Sequence, residues 1–109
     1  MDDIFKTTNN QIVVKYKPIM EDVDNFIGLY VNLLAWNDEK STYVTIEDHI
    51  DMISTYFIGA LINCAMLAHH AGKVFYLRCN KAIMKIIKIL DVNNISRMVM
   101  IDNTRIGDP

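Results

Sequence analysis

The sequence predicts an α/β fold with a mixed, mostly parallel sheet of four to five strands. Two strand-like segments flank a turn-forming pair near the N-terminus, and three later segments carry apolar residues at helical spacing. Each of these three is followed by a short strand-like segment. Strands that alternate with helices pair in parallel through right-handed crossovers, so the predicted order is β-β-α-β-α-β-α-β, with three to four helices packed on the sheet.

The first predicted elements form an N-terminal β-hairpin, with strands over residues 4–6 and 12–16. Asn9 and Asn10 lie between them, and asparagine tolerates the positive φ that tight hairpin turns require. Pro18 ends the second strand, because proline has no N–H to donate to a neighbouring strand.

Three segments have the periodicity of helices. Residues 20–36 begin with acidic side chains, which favour the positive end of a helix dipole. Residues 55–71 end before Gly72, and residues 81–90 follow Asn80, a preferred N-cap residue. The apolar stripes of the three helices are, in order, Val23, Phe26, Ile27, Tyr30 and Leu34; Ile58, Leu61, Ile62, Ala65 and Ala68 or His69; and Ile83, Ile86, Ile87 and Leu90.

Short apolar or β-branched segments predict the remaining strands, over residues 42–46, 74–77 and 97–101. A chain of 109 residues is long enough for one hydrophobic core and too short for two. We therefore expect a single domain over residues 1–102, followed by a flexible C-terminal tail over residues 103–109.

Composition and charge narrow the classes of partner. The chain is 51% hydrophobic and 22% charged, its net charge is -2, and no basic stripe with interleaved aromatic residues is present, so nucleic acid is not expected as a partner. The acidic N-terminus lacks the apolar core of a secretory signal, which favours a cytoplasmic protein. Cys64 and Cys79 lie in apolar segments, and we expect both to be buried and reduced.

The uncharged run over residues 52–72 is long enough to span a membrane. It contains polar side chains that hydrocarbon would leave without partners, and no tryptophan or basic cluster flanks it. The sequence therefore predicts a helix buried in a globular domain and no membrane span. The polar side chains are Ser54, Thr55, Asn63, His69 and His70.

No motif of a known catalytic class is present, so an enzyme is not expected, nor is a cofactor. His69 and His70 are neighbours on a helix and point about 100° apart, which disfavours a shared metal ion. Arg78 precedes Cys79 at a strand end, where it would lower the pKa of a reactive thiol, but a structural cysteine is the simpler interpretation. We expect no metal site.

The stretch from Val44 to Ile95 resembles the core of a STAS domain, the fold of bacterial anti-sigma factor antagonists. Glu47 stands at the acidic end of a strand, Ile58-Gly59 at the family's hydrophobic-Gly pair, and Gly72 at the glycine before the next strand. Residues 86–95 are similar to the last helix of the family and its exit. With the hairpin and the first helix included, the resemblance covers nearly the whole chain.

The resemblance also places a regulatory site. Counting back from Gly59, Ser54 occupies the position of the family's Asp, Thr55 its phosphorylatable Ser, Tyr56 its second Ser and Phe57 its first Gly. The resemblance implies Thr55 as phosphoacceptor, or Ser54 if the register differs by one residue. The other residues that it implies at the partner-binding site are Tyr56, Phe57, Gly59 and Glu47. The plainer interpretation of the two hydroxyls is that one of them caps the helix.

The function implied by the resemblance is that of a protein-binding regulatory module acting in transcription regulation by partner switching. The unphosphorylated form would capture an anti-sigma factor or a GHKL-type kinase, and phosphorylation would release that partner, since a dianion disrupts a complementary interface. Two alternatives stay open. One is a scaffold or dimerisation module that does not switch partners, in which case the chain could form a homodimer. The other is a small-ligand sensor with a pocket beside Cys79.

Overall fold

The computed structural model describes residues 3–102, which form five strands and three helices. The elements in chain order are β1 (Phe5–Thr7), β2 (Gln11–Val14), α1 (Asp22–Trp36), β3 (Ser41–Ile46), α2 (Thr55–His70), β4 (Val74–Cys79), α3 (Lys81–Leu90) and β5 (Val99–Asp102). The predicted order of elements is confirmed.

The strands form one sheet in the order β1-β2-β3-β4-β5. The hairpin strands β1 and β2 are antiparallel, with Phe5 opposite Val14, and all other neighbouring strands are parallel. The predicted mixed, mostly parallel sheet is therefore confirmed, with five strands. Because β2 to β5 are parallel, their C-terminal ends lie together at one edge of the sheet, the carboxyl edge. The helices return the chain to the opposite amino edge.

The three helices pack on one face of the sheet, as expected when successive right-handed crossovers advance in one direction. Side chains of β2, β3 and β4 alternate between buried and partly exposed, and the buried set joins the helices in a single core. The strand residues of this set are Ile12, Val14, Thr42, Val44, Ile46, Phe75, Leu77 and Cys79. The hydroxyl of Tyr30 on α1 lies 2.6 Å from that of Thr42, so the two buried polar groups satisfy each other.

Within the described residues no helix covers the opposite face, which we call the helix-free face. Tyr43 and Tyr76 stand side by side there on β3 and β4, with ring centroids 5.0 Å apart. The guanidinium of Arg78 lies 5.3 Å from the centroid of the Tyr43 ring. These side chains shield one another from water, as cross-strand pairs on a solvated sheet face do.

The hairpin turn differs from the prediction. Neither Asn9 nor Asn10 has a positive φ. The N–H of Thr8 donates to the carbonyl of Gln11 at 2.9 Å, and Asn9 and Asn10 connect this pair without a left-handed residue.

Strand β5 begins at Val99, two residues later than predicted, because the turn before it is more elaborate than the sequence indicates. Asn94 and Arg97 have φ values of 50° and 58°, which no strand accommodates. The carboxylate of Asp91 accepts from the N–H of Ile95 at 2.9 Å and from the N–H and hydroxyl of Ser96. The other predicted boundaries agree with the structure to within two residues, and both ends of α3 are as predicted.

Helix α2 ends as predicted before Gly72. The N–H of Gly72 donates to the carbonyl of His69, and the N–H of Lys73 donates to that of Ala68, a Schellman arrangement that satisfies the last carbonyls of the helix. This arrangement requires a left-handed residue, and Gly72 has a φ of 73°.

None of the helices within residues 3–102 is long and apolar enough to cross a membrane. Cys64 and Cys79 are both buried and free, as predicted. The expected flexible tail over residues 103–109 lies outside the described residues.

Candidate functional site

The residues that the STAS resemblance singles out lie at the carboxyl edge of the sheet, where β3 ends and α2 begins. Ser54 has the extended conformation of an N-cap residue, with φ of -69° and ψ of 155°, and its hydroxyl accepts from the N–H of Phe57 at 3.2 Å. Its carbonyl accepts the first helical hydrogen bond, from Ile58. Ser54 is therefore the helix cap, and its hydroxyl is occupied by the helix.

Thr55 is the first residue of α2, and its side chain is exposed. Because Ser54 already caps the helix, the Thr55 hydroxyl is not needed for capping. Of the two hydroxyls, Thr55 is thus the one that another protein can reach.

The two aromatic residues that follow point in opposite directions. Tyr56 is 62% exposed, whereas Phe57 is 0% exposed. Phe57 packs between Phe26 of α1 and Phe5 of β1, at ring-centroid distances of 4.8 and 6.1 Å. The expectation that Phe57 contributes to a partner-binding surface is wrong, because this side chain anchors the start of α2 in the core.

Gly59 lies one turn after Thr55 and Tyr56 and is partly exposed. A Cβ at this position would meet no atom within 4 Å. Neither internal packing nor backbone conformation therefore requires a glycine here, and its missing side chain leaves open space beside Tyr56.

The loop between β3 and α2 is held in place from two sides. Ile50 and Ile53 are buried in the core, and the side-chain amide of Asn80 donates to the carbonyls of Asp48 and Ile50 at 3.3 and 2.9 Å. The amide oxygen of Asn80 also accepts from the N–H of Ile83 at 3.1 Å and so caps α3. The sequence predicts Asn80 as the cap of α3. It does not predict that Asn80 also holds the loop, because this contact joins residues some thirty positions apart.

Glu47 is separated from the hydroxyl pair. It continues the β2–β3 ladder through its N–H, which donates to the carbonyl of Val14 at 3.1 Å, and its side chain opens toward the helix-free face. There it lines a shallow groove of about 620 Å³ together with Val13, Thr45, Asp48 and His49. The imidazole of His49 lies 3.9 Å from the Glu47 carboxylate. The structure therefore divides the predicted site, with Glu47 in this groove and Thr55, Tyr56 and Gly59 on α2.

Exposed apolar side chains lie in the two loops at this edge of the sheet. Met52 lies in the loop before α2, and Ile19 and Met20 lie in the neighbouring loop between β2 and α1. The two loops are adjacent because β2 and β3 are parallel neighbours. We call the set Ile19, Met20, Met52, Thr55 and Tyr56 the carboxyl-edge surface. Its loop residues were missed from the sequence, although large apolar residues outside any helical stripe were a visible signal.

The cysteine thiols are held in their protonated, unreactive form. Burial, together with the nearby Asp102 carboxylate, raises the pKa of Cys79 to about 12, so Arg78 does not activate this thiol. Burial likewise raises the pKa of Cys64 to about 12. Residues 3–102 hold no group of three or more His, Cys, Asp or Glu side chains placed to bind a metal ion.

Comparison with known proteins leaves the family open. No family model matches the sequence, and no curated protein matches it. The fold is similar to that of the protein TM1081, whose structure was determined by NMR, with a TM-score of 0.62 and 14% sequence identity. The match covers 94% of this chain and 82% of TM1081, so the similarity extends over nearly the whole chain.

Proposed function

We propose that the protein is a regulatory module that binds another protein through the carboxyl-edge surface, in the manner of the anti-sigma factor antagonists that its sequence resembles. An anti-sigma factor or a GHKL-type kinase in the cytoplasm is the kind of partner that this resemblance implies. Thr55 is the switch residue, and phosphorylation of its hydroxyl releases the partner.

One observation carries the proposal. The hydroxyl that stands at the family's phosphoacceptor position is exposed and is spared from capping, while exposed apolar residues lie in its own loop and in the neighbouring loop at the same edge of the sheet. Exposed large apolar side chains clustered around a modifiable hydroxyl are typical of an interface that modification controls.

The physical effect of a phosphate on Thr55 would be local. The N-terminus of α2 offers unpaired N–H groups and the positive end of the helix dipole, so the fold tolerates an added dianion there. A partner that packs against Tyr56 and Met52 would have to remove water from that dianion. This cost weakens the complex without unfolding the module.

The first experiment identifies the partner by position. A photo-crosslinking amino acid replaces Tyr56 in living cells, and a matched one replaces Val31, which is exposed on α1 away from the carboxyl edge. We expect one protein to be crosslinked from position 56 and not from position 31, and mass spectrometry to identify it. Equal crosslinking from both positions would contradict the proposed surface.

The second experiment tests the switch with that partner in purified form. Thr55→Glu should abolish binding while Thr55→Ser preserves it, because only the first places a negative charge at the helix start. Gly59→Ala should raise the stability of α2, by about 1 kcal/mol, and weaken binding by filling the space beside Tyr56. A non-switching scaffold predicts that Thr55→Glu binds as well as the natural sequence.

A further inference from the structure

The opposite, amino edge of the sheet carries two exposed surfaces that the proposed function does not use. The first lies where α1 ends. Trp36, the only tryptophan of the chain, is 86% exposed there. It borders a groove of about 650 Å³ that is also lined by Leu29, Asp38 and Glu39. We call these four residues the Trp36 corner.

The charge of the Trp36 corner is negative. Asp38 and Glu39 are exposed and form no ion pair within residues 3–102. Lys40 follows them in sequence but does not line the groove. The ammonium of Lys73 donates to the carbonyls of Leu34 and Asn37 at the end of α1, where the helix dipole is negative, and is engaged there.

The second surface lies where α3 turns into β5. Ile89, Val92 and Ile95 are 74%, 76% and 65% exposed, which is unusual for three branched aliphatic residues within seven positions. Lys88 and Arg97 flank them, are exposed and form no ion pair within the described residues. We call these five residues the α3–β5 turn surface. It is apolar and positively charged.

This turn is built to hold its apolar residues outward. Asp91 binds the backbone of Ile95 and Ser96, and the buried Ser96 hydroxyl accepts from the N–H of Met98 at 3.2 Å. Two non-glycine residues with positive φ complete the turn. A preformed apolar surface loses little conformational freedom when it is covered, which favours a shape-matched protein partner.

We propose that two copies of the chain associate through their amino edges, with the Trp36 corner of each copy packed against the α3–β5 turn surface of the other. The two surfaces are complementary, since one is acidic with a tryptophan and the other is basic with aliphatic residues. Either surface would meet like charges on a second copy of itself, so the favourable pairing is the crossed one.

The positions of the two surfaces allow both contacts to form together in one symmetric dimer. In strand order, α1 ends beside β3 and α3 ends beside β5, with the end of α2 between them, all at one edge. A two-fold axis through the middle of that edge brings both crossed contacts together at once. Each contact would cover one tryptophan and three aliphatic residues, so the whole interface would bury on the order of 1,200 Å², the lower limit for a specific complex.

The dimer does not depend on partner binding, because the carboxyl-edge surface lies at the other edge of the sheet and stays free in both copies. It would point away from the two-fold axis on each side. The assembly would therefore present two identical carboxyl-edge surfaces facing outward.

The test is sedimentation velocity of the full chain at low salt, over concentrations from about 1 to about 500 µM. We expect a reversible monomer–dimer equilibrium, with emission of Trp36 shifting to shorter wavelength as the dimer forms. Asp38→Lys/Glu39→Lys and Lys88→Glu/Arg97→Glu should each be monomeric, since each variant makes both of its surfaces alike in charge. Mixing the two variants should restore a heterodimer, which also shows that both are folded.

The control is Lys17→Glu, a charge reversal at an exposed residue of the carboxyl edge, which should dimerise as the natural sequence does. A chain that is monomeric throughout the range, that forms oligomers growing beyond two copies, or whose two charge variants fail to associate when mixed would overturn the proposal. So would a monomeric chain that floats with vesicles containing phosphatidylserine, because a lipid surface would then be the occupant of the α3–β5 turn surface.

Discussion

Three adjacent residues, Thr55, Tyr56 and Phe57, have three different environments. Thr55 is exposed on the first turn, Tyr56 is exposed beside it, and Phe57 is enclosed by two other phenylalanines. The signal for Phe57 is present in the sequence, because Phe57, Leu61, Cys64 and Ala68 repeat at helical spacing. The predicted apolar stripe begins at Ile58 and therefore omits Phe57. Where two aromatic residues are adjacent, the sequence alone does not show which of them points inward, because that depends on the position of the neighbouring helix.

The buried thiols make a prediction about pH at the residue scale. Cys64 and Cys79 ionise near their ordinary pKa of 9.0 in the unfolded chain and near 12 in the folded chain. Both states keep their protons below pH 9, so the stabilisation is fully present there. Between these values the unfolded state alone loses protons, and the free energy of unfolding therefore falls as the pH rises.

Urea denaturation between about pH 8 and about pH 10.5 measures this effect, with Cys64→Ala/Cys79→Ala as the control. The control should show a shallower decline. Some decline should persist, because burial also raises the pKa of Tyr30 and acts in the same direction at higher pH. An identical pH dependence in both proteins would show that the thiols are not protected in the native state.

At the scale of the element, the two hydroxyls at the start of α2 have different roles, since Ser54 caps the helix and Thr55 is exposed. The sequence alone does not distinguish them. Ser54→Ala should lower the free energy of unfolding by about 1 kcal/mol, because it leaves the N–H of Phe57 without its cap. Thr55→Ala should change it by less than about 0.5 kcal/mol, since that side chain is exposed and caps nothing.

Thermal and urea unfolding of the two alanine variants decide between the hydroxyls, and Ser54→Asp serves as the variant that keeps a capping oxygen. A larger loss from Thr55→Ala than from Ser54→Ala would reverse the assignment of the cap. It would also remove the reason to regard Thr55 as the accessible hydroxyl.

How far each element could be predicted depends on where its determinants lie. Periodicity within a segment determines the helices, and their order was correct for that reason. The start of β5 could not be found in this way, because Asp91 binds backbone groups four and five residues later and thereby allows Arg97 its left-handed conformation. The attachment of the β3–α2 loop to Asn80 joins two connections of different crossovers, and no local pattern encodes it.

For the whole molecule, the cluster of Phe5, Phe26 and Phe57 joins the hairpin, α1 and α2 into one core. Phe57→Ala should cost roughly 3–5 kcal/mol of unfolding free energy, a large share of the stability of a small domain. Tyr56→Ala, one residue away, should cost less than about 0.5 kcal/mol.

The two variants are compared by urea denaturation, with Phe57→Leu as a milder core change that should cost less than about 1.5 kcal/mol. Comparable losses from Tyr56→Ala and Phe57→Ala would mean that Tyr56 also belongs to the core. The result matters for the study of binding, since Phe57→Ala weakens any interaction by unfolding the module and cannot report on the partner surface.

The order of strands in the sheet is the order of strands in the chain. Each strand after β1 therefore pairs with one that was synthesised before it, and the paired residues of the parallel strands are 23 to 33 positions apart. Ribosomes add about 5–20 residues per second, whereas helices and hairpins form within about 10 microseconds, so each new strand emerges to find its neighbour already folded. The growing sheet has at every stage one edge awaiting the next strand, and synthesis from the N-terminus closes these edges one after another until β5 completes the sheet.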